Sequence, residues 1–154
     1  MLTKFIDSLN TILYVQIWEN RIKVTNILTG DIFDEKPLIA ISIDKKGQKF
    51  IVAVGNNSFL SSGANIAIIN PFSHIRSLIA NFEIGERLLQ YIFSMLLKGC
   101  VLKLRPKVVV HPMEKIEGGL TDVEERAFKE LAICAGARDV VVYQGSELVI
   151  SQSL

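Results

Sequence analysis

The sequence predicts a single α/β domain in which helices pack on one mixed sheet. Its first half holds apolar or alternating runs separated by polar turns, which is typical of a three-strand antiparallel meander. Its second half alternates helix, strand, helix and strand, an order that favours parallel pairing on the same sheet. The chain has 154 residues, of which 49% are hydrophobic. It is therefore long enough for one substantial core and too short for two.

The predicted meander begins with a strand, a tight turn and a second strand in LYVQIWENRIKV, residues 13–24. Both flanks are rich in β-branched and other apolar residues, and the turn between them is polar. PLIAISID, residues 37–44, is the third predicted strand, reached through the polar stretch TGDIFDEK. A fourth apolar run, KFIVAVG, follows a turn signal that contains glycine.

The stretch at residues 81–99 predicts the first long helix. Asn81 is the expected N-cap, because its side chain can accept a hydrogen bond from a free amide at the helix start, and Gly99 is the expected stop. Apolar residues recur along this stretch at helical spacing, namely Ile84, Leu88, Tyr91, Ile92, Met95 and Leu96. This periodicity predicts that one helix face is buried against the sheet.

A short apolar strand and a second helix follow. The strand is KVVVHP, residues 107–112, and it resembles a buried parallel strand. The helix starts at a capping box, in which Thr121 and Glu124 satisfy amide donors reciprocally. Gly136 ends the helix, and VVVY is the last predicted strand. The expected apolar stripe of the helix consists of Val123, Ala127, Leu131 and Cys134.

Composition and scattered residues exclude several function classes. The balance of 17 Lys and Arg against 16 Asp and Glu gives no general attraction to nucleic acid. Cys100 and Cys134 lie in apolar surroundings, so buried reduced thiols are expected. His74 and His111 have no cysteine or carboxylate at metal-ligand spacing, so no metal site is predicted. Without a membrane-spanning run or a cleavable signal, a cytoplasmic protein is expected.

Several stretches resemble the N-terminal half of the bacterial actin homologue MreB, the rod shape-determining protein family. The resemblance covers almost the whole chain, and it implies an RNase H-like, actin-like lobe that takes part in the cytoskeleton and cell shape. It also implies that the family would continue into a second phosphate loop and a second large domain, between which ATP is held. The stretches are, in chain order, EKPLIAIS, GQKFIVAVG, GANIAIINPFSHIRSLIANFEIGERLLQYI, RPKVVVHP, TDVEERA and AGARDVVV.

The first strand departs from the family where nucleotide is expected. In the family that strand leads into Asp-x-Gly-Thr, whose glycine admits phosphate to backbone amides and whose acid helps organise the metal. The ungapped positions here are Gln16, Trp18 and Glu19. Trp18 would fill the space of a phosphate, Glu19 would repel it, and Gln16 lacks the charge that favours magnesium. The resemblance therefore implies a degenerate nucleotide loop.

A second departure lies near residue 145. The family's Glu-Glu-Pro segment, associated with positioning the attacking water, corresponds roughly to Gln144, Gly145 and Ser146, while Glu147 is out of register. The sequence accordingly predicts no catalytic residue, no bound cofactor and a pseudo-ATPase. ATP with magnesium is the alternative, in which a partner chain supplies the lobe and phosphate loop that this truncated chain lacks.

The first ten residues, MLTKFIDSLN, predict an amphipathic helix. Its apolar positions are Leu2, Phe5, Ile6 and Leu9, spaced i, i+3, i+4 and i+7. This helix, assigned to residues 1–12 and followed by one domain at 13–154, resembles the membrane-surface helix at the start of some MreB proteins. Weak peripheral binding at the inner face of the cell membrane is expected. Docking of the helix on the domain itself is the alternative.

Together these observations favour a non-catalytic interaction module related to MreB. Its expected partner is a filament subunit of that family, another cell-shape protein or a second copy in a homodimer, since an uncovered apolar face favours association. Two other hypotheses remain, the nucleotide-dependent filament component described above and a remnant with no selected role.

Overall fold

The structure is a computed structural model that describes residues 11–61, 63–74, 76–99 and 105–150. These residues form a five-stranded sheet, a three-stranded sheet and two long helices. In chain order the elements are β1 (Ile12–Ile17), β2 (Ile22–Asn26), β3 (Ile32–Glu35), β4 (Ile39–Ile43), β5 (Lys49–Val54), a 3₁₀ helix (Gly55–Leu60), β6 (Ile66–Ile69), α1 (Phe82–Leu96), β7 (Lys107–Pro112), α2 (Asp122–Cys134) and β8 (Asp139–Val142).

The five-stranded sheet has the strand order β3-β2-β1-β7-β8. Its first three strands are antiparallel neighbours, whereas β7 pairs parallel with β1 and β8 pairs parallel with β7. The mixed sheet, its meander and its parallel half are therefore confirmed. The strand, turn and strand predicted in residues 13–24 correspond to β1 and β2.

The third strand of the meander differs from the one predicted. It is β3, within the stretch expected to be a turn, and Phe33 pairs with Val24 of β2. A tight turn at Gly30, whose φ is 80° and whose amide donates to the Asn26 carbonyl over 2.8 Å, returns the chain directly onto β2. Only Phe33 is fully buried in this short strand, so its sequence carries too little alternation to reveal it.

The run at 37–44 instead builds a second sheet that the sequence did not predict. Its β4 lies at the centre of the order β5-β4-β6, antiparallel to both neighbours. Ile39, Ala40 and Ile41 are all buried, so both faces of this part of the strand are covered, as a run of successive apolar residues requires.

Both helices contribute to a core on one face of the five-stranded sheet. Alternate residues of β1 point into it, namely Leu13, Val15 and Ile17. Asn81 caps α1 by accepting from the Ile84 amide over 3.1 Å, which confirms the cap. Within α1, however, Tyr91 and Met95 are 45% and 36% exposed. The buried face contains Leu89 and Phe93 instead, because apolar residues nearly surround this helix and the sheet decides which of them it covers.

The capping box of α2 is confirmed, with both reciprocal hydrogen bonds between Thr121 and Glu124 present. The predicted stripe is wrong at both ends, since Val123 is 78% exposed and Cys134 is exposed. Phe128, Leu131 and Ala132 form the buried face, because only the second half of the helix packs on its neighbours. The expectation of a buried thiol thus fails at Cys134, and Cys100 lies outside the described residues.

The opposite face of the five-stranded sheet carries a small second cluster of Ile12, Tyr14 and Val109, which positions the site described below. Ile12 already belongs to β1, although the sequence assigned it to the predicted N-terminal helix. The other residues of that helix prediction, Leu2, Phe5, Ile6 and Leu9, lie outside the described residues. Neither helix of the described ranges is long and apolar enough to cross a membrane.

Candidate functional site

The turn after β1 is closed by its own side chains and backbone. The Trp18 amide donates to the Arg21 carbonyl over 2.8 Å. The Arg21 guanidinium lies 4.7 Å from the centre of the Trp18 ring, within cation–π range. It also donates two hydrogen bonds of 2.7 Å to the Asp34 carboxylate of β3. These contacts hold the indole in place at the end of the strand.

Glu19 connects this turn to two other loops. Its carboxylate lies 3.3 Å from the Lys115 ammonium and accepts a hydrogen bond of 3.2 Å from the Ser73 hydroxyl. Its carbonyl accepts from the Asn70 side chain over 2.8 Å, and its amide donates to a Glu114 carboxylate oxygen over 2.9 Å. The segment after β6 and the segment after β7 are therefore both attached to the same residue.

The contacts of this turn occupy the backbone amides and the lysine that an anion would require. A phosphate loop offers free backbone amides in a positive local field. Here the amides of Trp18 and Glu19 already have protein acceptors, and one of those acceptors is a carboxylate. Lys115 is paired with Glu19 and also donates to the His74 carbonyl.

Gln16 lies on the sheet face opposite the helices and is only 1% exposed. Its amide nitrogen donates to a Glu147 carboxylate oxygen over 3.0 Å, across a separation of 131 residues. The structure thus brings Glu147 to the first strand, although its register in the sequence pointed elsewhere. Gln144 does not join them, since its side-chain oxygen accepts from the Leu120 amide over 2.8 Å.

Sequence reasoning missed the importance of Tyr14 and His111. His111 is the penultimate residue of β7 and is only 1% exposed. Its Nδ1 is 2.6 Å from the Tyr14 hydroxyl, its Nε2 is 3.0 Å from the Gly145 carbonyl, and the Tyr143 ring packs edge-on at 4.8 Å. Side chains alternate between the two faces of a strand, so Tyr14 and Gln16 lie on the same face. This alternation could have identified Tyr14 from the sequence.

Burial dominates the electrostatics of this pair. It lowers the pKa of the His111 imidazole, while the hydrogen bond to the Gly145 carbonyl and the nearby Glu147 carboxylate act in the opposite direction. Burial likewise raises the pKa of the Tyr14 hydroxyl. At neutral pH both groups are therefore uncharged.

A cleft of about 250 Å³ adjoins these residues on the same face. It is smaller than the roughly 300–1,000 Å³ of most small-molecule sites. Within the described ranges, no three His, Cys, Asp or Glu side chains come together in a way that could hold a metal ion. The cleft is lined by polar and apolar side chains of β1, β2 and the 147–150 segment, including Gln16, Lys23, Thr25, Asn26, Glu147, Leu148 and Ile150.

Comparison with known families identifies the chain. The family model described as MreB/Mbl protein matches residues 20–149. The chain belongs to the MreB/Mbl family. The resemblance that the sequence indicated is thereby confirmed.

The similar curated MreB/Mbl proteins include cell shape-determining proteins MreB from two bacteria. The Haemophilus influenzae protein is 36% identical over 119 residues, which are 75% of this chain and 32% of that protein. The Escherichia coli K12 protein is 32% identical over 119 residues, again 75% of this chain and 33% of that protein. The chain therefore spans about a third of the length of the curated relatives it matches.

Similar solved structures confirm the actin-like fold. MreB5 of Spiroplasma citri bound to ADP has a TM-score of 0.65 and 20% identity, and the match covers 88% of this chain and 38% of that one. The MamK double helical filament has a TM-score of 0.61 and 13% identity, covering 86% of this chain and 40% of that one. At these identities the likeness shows the fold.

Proposed function

We propose that this chain is a non-catalytic interaction module of the MreB/Mbl family, with a degenerate first nucleotide loop. The observation that carries the proposal is the turn after β1. The amides of Trp18 and Glu19 are already bonded, and the Glu19 carboxylate neutralises Lys115. A phosphate would have to break these contacts and overcome repulsion from Glu19 and Glu114.

Gln16 supports the proposal that magnesium does not bind at this strand end. Magnesium requires oxygen ligands, usually one or two carboxylates together with waters and phosphates. Gln16 carries no charge, and it presents an N–H group to Glu147. Neither ATP nor magnesium therefore fits the residues at this strand end.

The alternative is an ATP-binding filament component completed by a partner chain. Two observations favour it. The related MreB5 structures contain ADP or AMPPNP, the latter with a TM-score of 0.63, 17% identity and coverage of 88% of this chain and 38% of that one. Glu147 also places one carboxylate beside Gln16.

Calorimetric titration with ATP and magnesium distinguishes these two functions. At protein concentrations that detect millimolar binding, we expect no saturable heat, because the Trp18 and Glu19 amides already have protein acceptors. MreB of Haemophilus influenzae, titrated under the same conditions, serves as the comparison. Saturable binding, or phosphate release that follows this protein through purification, would contradict the proposal.

We further propose a filament subunit of the MreB family as partner, at the inner face of the cell membrane. The MamK filament supports this proposal, because a protein of similar fold assembles into a double helical filament. The predicted amphipathic helix supports the membrane contact, with partial insertion of its apolar side chains and correspondingly weak binding.

Liposome co-sedimentation tests the membrane contact. Replacing Phe5 and Ile6 with aspartate should abolish sedimentation with anionic vesicles, because charge on the apolar face prevents insertion. Replacing Thr3 and Ser8 with aspartate adds the same charge to the polar face and should reduce binding far less. Equal effects of the two double variants would indicate simple repulsion, and no effect of Phe5→Asp with Ile6→Asp would remove the membrane contact from the proposal.

A further inference from the structure

Residues 144–150, called the strap below, cross the face of the five-stranded sheet opposite the helices. Leu148 and Ile150 pack on the cluster of Ile12, Tyr14 and Val109. The Tyr143 amide donates to the Val110 carbonyl over 2.8 Å, and this is the last backbone-to-backbone hydrogen bond along the described chain. Side chains therefore hold the strap, and such a segment can open without unfolding the domain.

Three hydrogen bonds in series attach the strap to the sheet. The Leu148 amide donates to the Tyr14 hydroxyl oxygen over 3.3 Å. That hydroxyl lies 2.6 Å from His111 Nδ1, and His111 Nε2 lies 3.0 Å from the Gly145 carbonyl. A carbonyl only accepts, so Nε2 carries the hydrogen, Nδ1 accepts, and the Tyr14 hydroxyl donates to it. The series begins and ends on the strap, and it requires a neutral His111.

A second proton on His111 disrupts this series. Nδ1 would become a donor, so the Tyr14 hydroxyl would lose the acceptor for its own hydrogen. The charge would also be buried against the edge-on Tyr143 ring, where desolvation disfavours it. When the strap opens, water can reach His111 and Tyr14. Water then accepts the hydrogen of the Tyr14 hydroxyl and solvates the His111 charge.

The charged and titratable groups around His111 do not offset the cost of burying its protonated ring. From the strap, the Glu147 carboxylate favours the protonated ring, but it is exposed and accepts its hydrogen bond from Gln16. From β1 the facing groups are the neutral Tyr14 and Gln16, and after β8 it is Tyr143. Lys23 of β2 adds positive charge on the same face, which disfavours a further cation.

We propose that the strap is a pH-sensitive latch, which neutral His111 holds against the sheet and which protonation of His111 releases. Release uncovers the apolar face formed by Ile12, Tyr14 and Val109, together with one wall of the adjoining cleft. The hydrogen-bond series through Tyr14 and His111 does not involve Trp18 or Glu19, so the latch does not depend on the proposed function.

The size of the effect follows from linkage. In the open state His111 has its ordinary pKa of about 6.5. While the latched ring stays neutral, the open fraction rises about tenfold for each pH unit below that value. Between pH 7.5 and 5.5 the equilibrium should therefore shift toward the open strap, by up to about tenfold.

Amide hydrogen exchange on the full chain tests the latch. After correction for intrinsic exchange rates, protection of the Leu148 amide should fall from pH 7.5 to pH 5.5, by up to about tenfold, while the protection of central β7 amides such as Val110 should not change. A loss of protection that is equal in β7 and the strap would mean that His111 stabilises the whole domain, and the latch would be wrong. Unchanged protection of Leu148 would overturn it as well.

Three variants assign the effect to one histidine. His111→Gln should remove the pH dependence of Leu148 protection, and His74→Gln should retain it. Tyr14→Phe keeps the ring but breaks the series, so protection of Leu148 should be low at both pH values. Persistence of the pH dependence in His111→Gln would overturn the proposal. Should that variant not fold, an NMR titration of wild-type His111 without concurrent loss of Leu148 protection would overturn it equally.

Discussion

At the scale of single residues, the turn after β1 shows how side chains can occupy an anion's position. Glu114 accepts the Glu19 amide, and Glu19 in turn pairs with Lys115. Each contact joins segments that are far apart in sequence, and each leaves one fewer group for a ligand. The same loop position can therefore serve either binding or structure, depending on whether its amides are free.

Arg21 and Asp34 provide a prediction at this scale. The two hydrogen bonds from Arg21 lower the pKa of the Asp34 carboxyl below its ordinary value of about 3.9. A lowered carboxyl pKa adds stability above that ordinary value, and the gain is lost as pH falls through the folded-state pKa. Arg21→Gln should therefore lower the free energy of unfolding at pH 7 by about 1 kcal/mol or less, since both groups are partly exposed.

Urea denaturation at pH 7 and pH 3 checks this prediction. The difference between wild type and Arg21→Gln should be smaller at pH 3, because this pH lies below the ordinary carboxyl pKa of about 3.9 and the carboxyl is mostly protonated in the unfolded chain. Lys23→Gln removes the same charge two residues further on, in β2, without a hydrogen bond to Asp34, and it should cost less at pH 7. A difference that stays constant with pH would mean that stacking on Trp18, and not the ion pair, accounts for the effect of Arg21.

At the scale of elements, the helices are defined locally but oriented by the sheet. Asn81 and the Thr121–Glu124 box fix where α1 and α2 begin, because each satisfies amides within its own first turn. Which face is buried depends on the neighbouring strands. In α1 the covered face includes Leu88 and Leu89, whereas Tyr91 faces solvent.

Two alanine substitutions in α1, one on its buried face and one on its exposed face, should lower the free energy of unfolding by different amounts. Leu88 is fully buried, so Leu88→Ala should lower the free energy of unfolding by about 2–5 kcal/mol through lost transfer energy and a cavity. Tyr91→Ala removes a larger but 45% exposed side chain from the same helix and should cost clearly less. Equilibrium unfolding in urea measures both values, and equal costs would contradict the orientation of α1.

At the scale of the whole molecule, the two sheets differ in how well they are covered. Helices and the strap pack on the five-stranded sheet. The three-stranded sheet and the 3₁₀ helix instead carry a concentration of exposed apolar side chains, and such concentrations mark interaction surfaces. These side chains are Ile43, Phe50, Ile51, Val52, Phe59, Leu60 and Ile68.

Phe50→Asp should therefore reduce self-association or co-assembly with MreB filaments. Phe50 is 52% exposed, so the substitution should leave the fold intact while placing a charge within the apolar surface. Leu28→Asp is the matched control, since Leu28 is 68% exposed in the turn between β2 and β3. Sedimentation velocity over a range of concentrations measures the association. Equal behaviour of the two variants would show that this sheet is not the contact surface.

The sequence by itself determined the α/β class, the opening strand, turn and strand, the alternation of helix and strand in the second half, both helix starts and the family. These features depend on periodicity, on hydrogen bonds within a few residues and on motifs in chain order, all of which a linear sequence contains. The actin-like fold follows from the same information.

Only the tertiary structure decided which strand completes the meander, which face of α1 is buried and which residues meet at the site. Gln16 and Glu147 are 131 residues apart, and Tyr14 and His111 are 97 residues apart. Their contacts exist because β7 pairs with β1 in one register and the strap returns across the sheet. Such contacts depend on the packing of distant segments, for which no local pattern carries the information.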